Sequence, residues 1–155
     1  MKFSSQEEYG IRCLLRIAKA DSGKGLTIPE ISKAEGISIH NAAKLLRVLR
    51  LGGFLESSRG QSGGYTLSRP PNEILIGDAL STLGGKLYDA EFCSSHTGEM
   101  KICTNSIDCS IRSVWQMLQN SIDGVLKNLS LKDLISSEDT LISKIKNYTN
   151  EIITL

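Results

Sequence analysis

The sequence predicts a mainly α chain with one small β-hairpin and a long, one-faced helix towards its C-terminus. Three observations predict it. Between Thr27 and Pro71, two short helical patterns meet at one glycine and run into a glycine-rich hairpin. From Ile111 to Leu129, apolar residues recur at spacings of three and four. Charge also divides the chain: residues 1–70 hold 11 Lys and Arg against 6 Asp and Glu, whereas residues 71–155 hold 7 against 11. A chain of 155 residues is one domain by size, or a small domain with a dimerising appendage.

The first helix is expected from about Gln6 to Ala20, with Tyr9, Cys13, Leu14, Ile17 and Ala20 on its buried stripe and Asp21-Ser22-Gly23 ending it. Thr27 offers an N-cap, with Pro29 in the first turn and Glu30 closing a capping box. The second helix therefore runs from Pro29 to about Glu35, and Gly36 supplies the turn. Ser38 caps a third helix, Ile39 to Leu51, which buries Ala42, Leu45, Leu46 and Leu49 before Gly52-Gly53 stops it. Phe54–Ser58 and Gly64–Ser68 read as strands joined by an Arg59–Gly63 tip, and Pro70-Pro71 predicts a stiff, extended exit.

Beyond it, Ile76, Ala79, Leu80 and Leu83 suit a short helix ended by Gly84-Gly85. Phe92 to Cys109 has no period and reads as a loop. The long helix follows, with Ile111, Val114, Trp115, Leu118, Ile122, Val125, Leu126 and Leu129 on one stripe, a pattern that calls for a partner helix. After Ser136, Leu141, Ile145, Tyr148 and Ile152 keep some apolar spacing, but the segment reads only as a tail. These patterns divide the chain into residues 1–71, 72–135 and 136–155.

Two helices at a glycine turn, then a hairpin, is the order of a winged helix-turn-helix, which lays its second helix in the major groove of DNA. Ser38, His40, Asn41 and Lys44 occupy the first turns of that helix, where short polar and basic side chains meet base edges and phosphates. Arg47 and Arg50 lie further along and suit backbone contacts. Arg59 stands among small residues at the wing tip, free to enter a minor groove, while Tyr65 and Arg69 would brace the hairpin or touch phosphate. The basic excess of residues 1–70 coincides with this module, as phosphate neutralisation requires. The plainer alternative is an amphipathic helix pair with an ordinary surface hairpin.

No segment resembles a signal peptide, and no apolar run approaches the roughly 20 residues that span a bilayer. The expectation is a soluble, cytoplasmic protein with no membrane partner. There thiols stay reduced, so four cysteines argue for metal or redox chemistry rather than disulfides. Cys93-x9-Cys103-x5-Cys109 places three soft donors on one loop, a set that selects iron–sulfur clusters or zinc. Cys109 falls at the start of the long helix, where the macrodipole favours negative charge. His96 completes a Cys3His set suited to structural zinc, and a bare thiol switch is a further alternative. Cys13, on an apolar face, reads as a small core hydrophobe.

Two other classes of function compete. A thiol oxidoreductase using Cys109 would lack a CxxC pair and a base beside its nucleophile. An interaction protein would use the wing on another protein, and salt-sensitive binding to duplex DNA separates it from a DNA-binding module.

The chain resembles the Rrf-type regulators, which include IscR-like and NsrR-like proteins. The resemblance rests on MKFSSQEEYGIRCLLRIA, TIPEISKAEGISIHNAAKLLRVLR, the wing RGQSGGYTLSRPP, EILIGDAL and LSLKDLI, and covers nearly everything before Ser136. It implies a homodimeric bacterial transcription regulator on a roughly palindromic double-stranded operator, its long helices crossing between subunits. Many members carry an iron–sulfur cluster at the dimer interface and sense iron, cluster supply, nitric oxide or redox state. Some complete the site with an acidic residue of the other subunit's first helix. Glu8 matches that position, with Glu7 as the neighbouring fallback. On this reading [2Fe–2S] is favoured over [4Fe–4S]. Two departures stand out: Arg112 occupies a position where some relatives have histidine, and the first cysteine gap is longer than usual.

Overall fold

The structure, a computed structural model, describes residues 3–20, 24–60, 63–99 and 101–153. Helix α1 spans Ser5–Ala18, two residues short of the expected end, and the Asp21-Ser22-Gly23 stop lies outside the described residues. Its start is set locally. Ser4 caps it, with the Glu7 carboxylate accepting from the Ser4 N–H at 2.7 Å in a capping box.

Helices α2 (Ile28–Glu35) and α3 (Ile39–Leu51) form as the cap residues predict. Thr27 and Glu30 make the capping box of α2, and the Ser38 hydroxyl accepts from the Asn41 N–H at 3.1 Å. Between them Gly36 takes φ +66°, the left-handed conformation glycine adopts without a Cβ penalty. The Ser32 hydroxyl donates to the Ile37 carbonyl at 2.6 Å and closes the turn.

Strands β1 (Leu55–Ser58) and β2 (Gly64–Leu67) pair antiparallel, with Leu55 opposite Leu67 and Ser58 opposite Gly64. Tyr65 also exchanges backbone hydrogen bonds with Leu26, at 2.8 and 3.1 Å, which ties the wing to the residues before α2. The two backbones approach so closely that a Cβ on Gly64 would lie 2.6 Å from the Gly25 carbonyl carbon. Arg69 braces the base of the hairpin: its guanidinium donates to the Gly53 carbonyl at 3.3 Å and lies over the Phe54 ring.

The proline exit differs from expectation. Pro70 is extended, but Pro71–Glu73 curl into a 3₁₀ turn, because proline's fixed φ suits the first position of a helical turn. Helix α4 spans Ile76–Gly84 and the one-turn α5 spans Phe92–Ser95 within the cysteine segment. Helix α6 spans Ser110–Leu126, so Leu129 lies beyond its end and turns into the core instead of extending the stripe. There the chain pairs back onto the start of α4, with the Leu131 N–H donating to the Ile74 carbonyl at 2.8 Å.

Helix α7 (Leu131–Ile135) follows, and the expected tail is helical: α8 spans Glu138–Ile153. Leu141 and Ile145 pack on the core, and Lys144 pairs with Asp133 at 2.5 Å. A single buried cluster runs from Cys13, Leu14 and Ile17 of α1 through Leu45, Leu46 and Leu49 of α3 to Ile74, Ala79, Leu83 and Leu131. Among the described residues, no helix is long and apolar enough to cross a membrane.

Candidate DNA-contacting face and cysteine loop

Helix α3 turns its apolar face inward, with Ala42, Leu45, Leu46 and Leu49 at 1% exposure or less. Periodicity then dictates what faces out. Ser38, His40, Lys44, Arg47 and Arg50 are exposed and Asn41 is half-buried, so the polar face of α3 is presented as a strip. Arg59 is exposed beside the wing tip, whose residues 61 and 62 lie outside the described set.

One buried ion cluster holds this unit together, and sequence reasoning missed it. Glu35, the last residue of α2, has a side chain only 5% exposed and accepts from Arg12 Nε at 2.9 Å and Arg16 Nε at 2.7 Å. Arg12 also donates to the Glu35 backbone carbonyl at 3.1 Å, satisfying a helix-end acceptor. Burial pushes the Glu35 carboxyl up, but the hydrogen bonds from Arg16 and Arg12 outweigh it and hold it below the usual carboxylate range. The signal was present as two arginines four residues apart on α1, a spacing that puts them on one face. Their partner could be found only in three dimensions.

All four cysteines are free thiols. Cys13 is fully buried in the core, where burial pushes its thiol up to about 11. Cys93, Cys103 and Cys109 are half-buried. Cys93 lies in α5, and its sulfur is 3.7 Å from the Tyr88 hydroxyl. Cys109 is the N-cap of α6, its sulfur accepting from the Arg112 N–H at 3.4 Å. Cys109 and Arg112 both lie within electrostatic reach of the Tyr88 phenol, whose pKa is raised chiefly by the hydrogen bond with Cys93. The Arg112 guanidinium donates to the Ser106 carbonyl at 3.1 Å, while its Nε is buried without a partner among the described residues.

Cys103 lies on the irregular stretch between α5 and α6. Among the described residues, no group of three or more His, Cys, Asp and Glu is gathered so as to hold a metal ion. The donor chemistry nonetheless fits a soft metal or cluster: three free thiols share a loop, and a cationic side chain with an unused buried N–H stands beside Cys109. His96 is exposed and stacks on Phe92 at 4.2 Å between ring centroids. Its Nδ1 lies 2.8 Å from the Phe92 carbonyl oxygen and 3.0 Å from the Ser95 hydroxyl.

Of the two acidic candidates on α1, Glu7 is committed to the capping box and Glu8 is exposed. On α6 the apolar stripe is uncovered: Ile111 is 56% exposed, Val114 46%, Trp115 38% and Leu118 36%.

A family profile described as Rrf2, iron-dependent transcriptional regulator, matches residues 3–137. The chain is 30% identical over 142 residues to the HTH-type transcriptional regulator IscR of Serratia proteamaculans, covering 92% of this chain and 84% of that protein. Among solved structures, T. potens IscR superposes with a TM-score of 0.67 at 29% identity, covering 87% of this chain and 86% of the other. CymR, the global cysteine regulator of B. subtilis, superposes with a TM-score of 0.65 at 24% identity, covering 87% of this chain and 96% of the other, a likeness of fold.

Proposed function

We propose, from the premise that this chain belongs to the Rrf2 family and is a DNA-binding transcriptional regulator, that it acts as a homodimer whose operator affinity is set by an iron–sulfur cluster on the cysteine loop. The observation that carries this reading is the conjunction of a family match over residues 3–137 with three free thiols on one loop. The described relatives are transcription regulators, not enzymes, so the thiol oxidoreductase reading falls away.

The DNA-binding half follows from surface chemistry. Ser38, His40, Asn41 and Lys44 would read and anchor the major groove, Arg47 and Arg50 would bind the backbone, and Arg59 would enter the minor groove. Two such units, paired through the uncovered stripe of α6, would reach successive major grooves about 34 Å apart on a roughly palindromic operator. Burying Ile111, Val114, Trp115 and Leu118 against a second copy removes apolar surface that one chain leaves in water.

Cys93, Cys103 and Cys109 would hold the cluster, with the partner subunit's Glu8 as fourth ligand. When bound, an iron–sulfur cluster supplies metal–ligand bonds that respond to redox state, nitric oxide or iron supply, and [2Fe–2S] is the favoured type. Glu8 is preferred because Glu7 is already used at the helix cap. The ligand bonds would tie the loop of one subunit to α1 of the other. Arg12 and Arg16 then hold that helix to α2 through Glu35, so a change at the loop shifts the pose of α3.

A second reading is structural zinc. It is favoured by the exposed His96 ring, three residues after Cys93 on the same loop, which would complete a Cys3His set. Oxygen-free purification separates the two. A coloured protein with matched iron and sulfide supports the cluster, and a colourless one with stoichiometric zinc overturns it. A protein that takes up neither, after reconstitution, leaves the DNA-binding reading standing and refutes metal sensing.

A further inference from the structure

We propose that Tyr88 is the positioning residue of the cysteine site: its phenol donates a hydrogen bond to the Cys93 sulfur, and Gln119 of the long helix holds it in place. The inference rests on the reading of Cys93 as a metal ligand and names a residue that reading leaves out.

A polar residue interrupts the apolar stripe of α6. Gln119 lies four residues after Trp115 and three before Ile122, on the stripe where an apolar side chain is expected. It is 7% exposed, the most buried residue of α6, and both ends of its amide are used. Its Oε1 accepts from the Tyr88 backbone N–H at 3.0 Å, and its Nε2 donates to Asp123 at 2.8 Å. Asp123 in turn pairs with Lys86 at 3.7 Å, so the segment leading to the cysteine loop is fastened to α6 at two points. A buried amide costs free energy unless its hydrogen bonds are made, so this contact specifies one position for Tyr88.

From that anchor the half-buried Tyr88 side chain reaches Cys93, its oxygen 3.7 Å from the sulfur, and its ring packs on Phe92 with centroids 5.3 Å apart. Either atom can donate while Cys93 is a thiol. A sulfur bound to metal has no proton, so the phenol must then be the donor. Hydrogen bonds to ligand sulfur draw charge off the metal centre, favour its reduced state and slow ligand loss. Helix α6, by the same fastening, carries both Cys109 and the support for Cys93. A shift of that helix at the dimer interface therefore moves two sulfurs together.

The test compares wild-type protein with Tyr88→Phe and Gln119→Leu after anaerobic reconstitution. It reads iron and sulfide content, visible circular dichroism, midpoint potential and the rate of bleaching by a chelator. Phenylalanine keeps the ring packing and removes only the hydroxyl. Leucine suits the apolar stripe and removes only the anchor. Both variants are expected to load, with a lower potential and bleaching roughly 10-fold faster than wild type. A Tyr88→Phe protein that loads with unchanged potential and bleaching rate overturns the proposal and leaves the cluster reading intact. A wild-type protein that takes up no cluster overturns the cluster reading, and this proposal with it.

Discussion

Glu35→Gln tests whether the buried ion cluster holds the helix-turn-helix to α1. The carboxylate is 5% exposed and makes hydrogen bonds of 2.9 and 2.7 Å to two guanidinium groups. A hydrogen bond to a charged group contributes about 1.5–3 kcal/mol. The arginine side chains keep 43% and 47% of their surface in water, so solvent screens each pair towards the low end of that range. Glutamine preserves shape and one acceptor oxygen but removes the charge. The expected loss is about 2 kcal/mol, which in a chain of this size lowers Tm by about 4–8 °C. Circular dichroism melts at one fixed protein concentration measure it, since the proposed dimerisation would make Tm concentration-dependent.

The pH dependence has a definite sign. The folded pKa of Glu35 lies below its ordinary value of 4.5, so its stabilisation is present above that value and lost as pH falls through the lower folded one. The gap between wild type and variant should therefore narrow in acid. A variant whose Tm stays within about 1 °C of wild type at neutral pH would refute the argument.

Other expectations follow from the same geometry. Asn41→Ala should cost about 1–3 kcal/mol of operator binding and relax preference at one base pair, whereas Lys44→Ala should weaken binding evenly and reduce the salt slope by about 1, both read by anisotropy titrations. If the wild type sediments as the proposed dimer, Leu118→Asp should run as monomer, because it places a charge on the stripe of α6; a variant that stays dimeric contradicts pairing through that face. Cys13 should resist alkylation in the folded, metal-free protein near pH 8, since its thiol is buried and pushed up to about 11. Mass spectrometry should find it labelled only after unfolding, and native labelling at the rate of Cys103 would contradict its burial.

Much of the fold was legible because its determinants are local. Thr27 and Glu30, Ser38 and Gly36 act within four residues of chain, and the period of α3 named every one of its buried residues. What escaped was set at long range. Glu35 meets its arginines only after α1 and α2 pack. Leu129 leaves the α6 pattern because backbone pairing near Ile74 draws the chain away. The α8 pattern was visible at Leu141 and Ile145, but its significance depends on the core those residues cover. In the cysteine loop the sequence showed three candidate donors and not the side chains that would support them. Gln119 passed unremarked among the apolar residues of α6, and Tyr88 carried no signal of its own.

On the proposed function, the state of the cysteine loop sets operator affinity. The most direct test uses a duplex selected by the protein itself from a random-sequence pool. The affinity of one preparation is measured cluster-loaded and cluster-free, at two salt concentrations, beside Cys103→Ala. The two forms are expected to differ by roughly 5–150-fold, and Cys103→Ala to bind DNA with no such difference. Equal affinity of the loaded and stripped forms, or an undiminished response in Cys103→Ala, would contradict the proposed function.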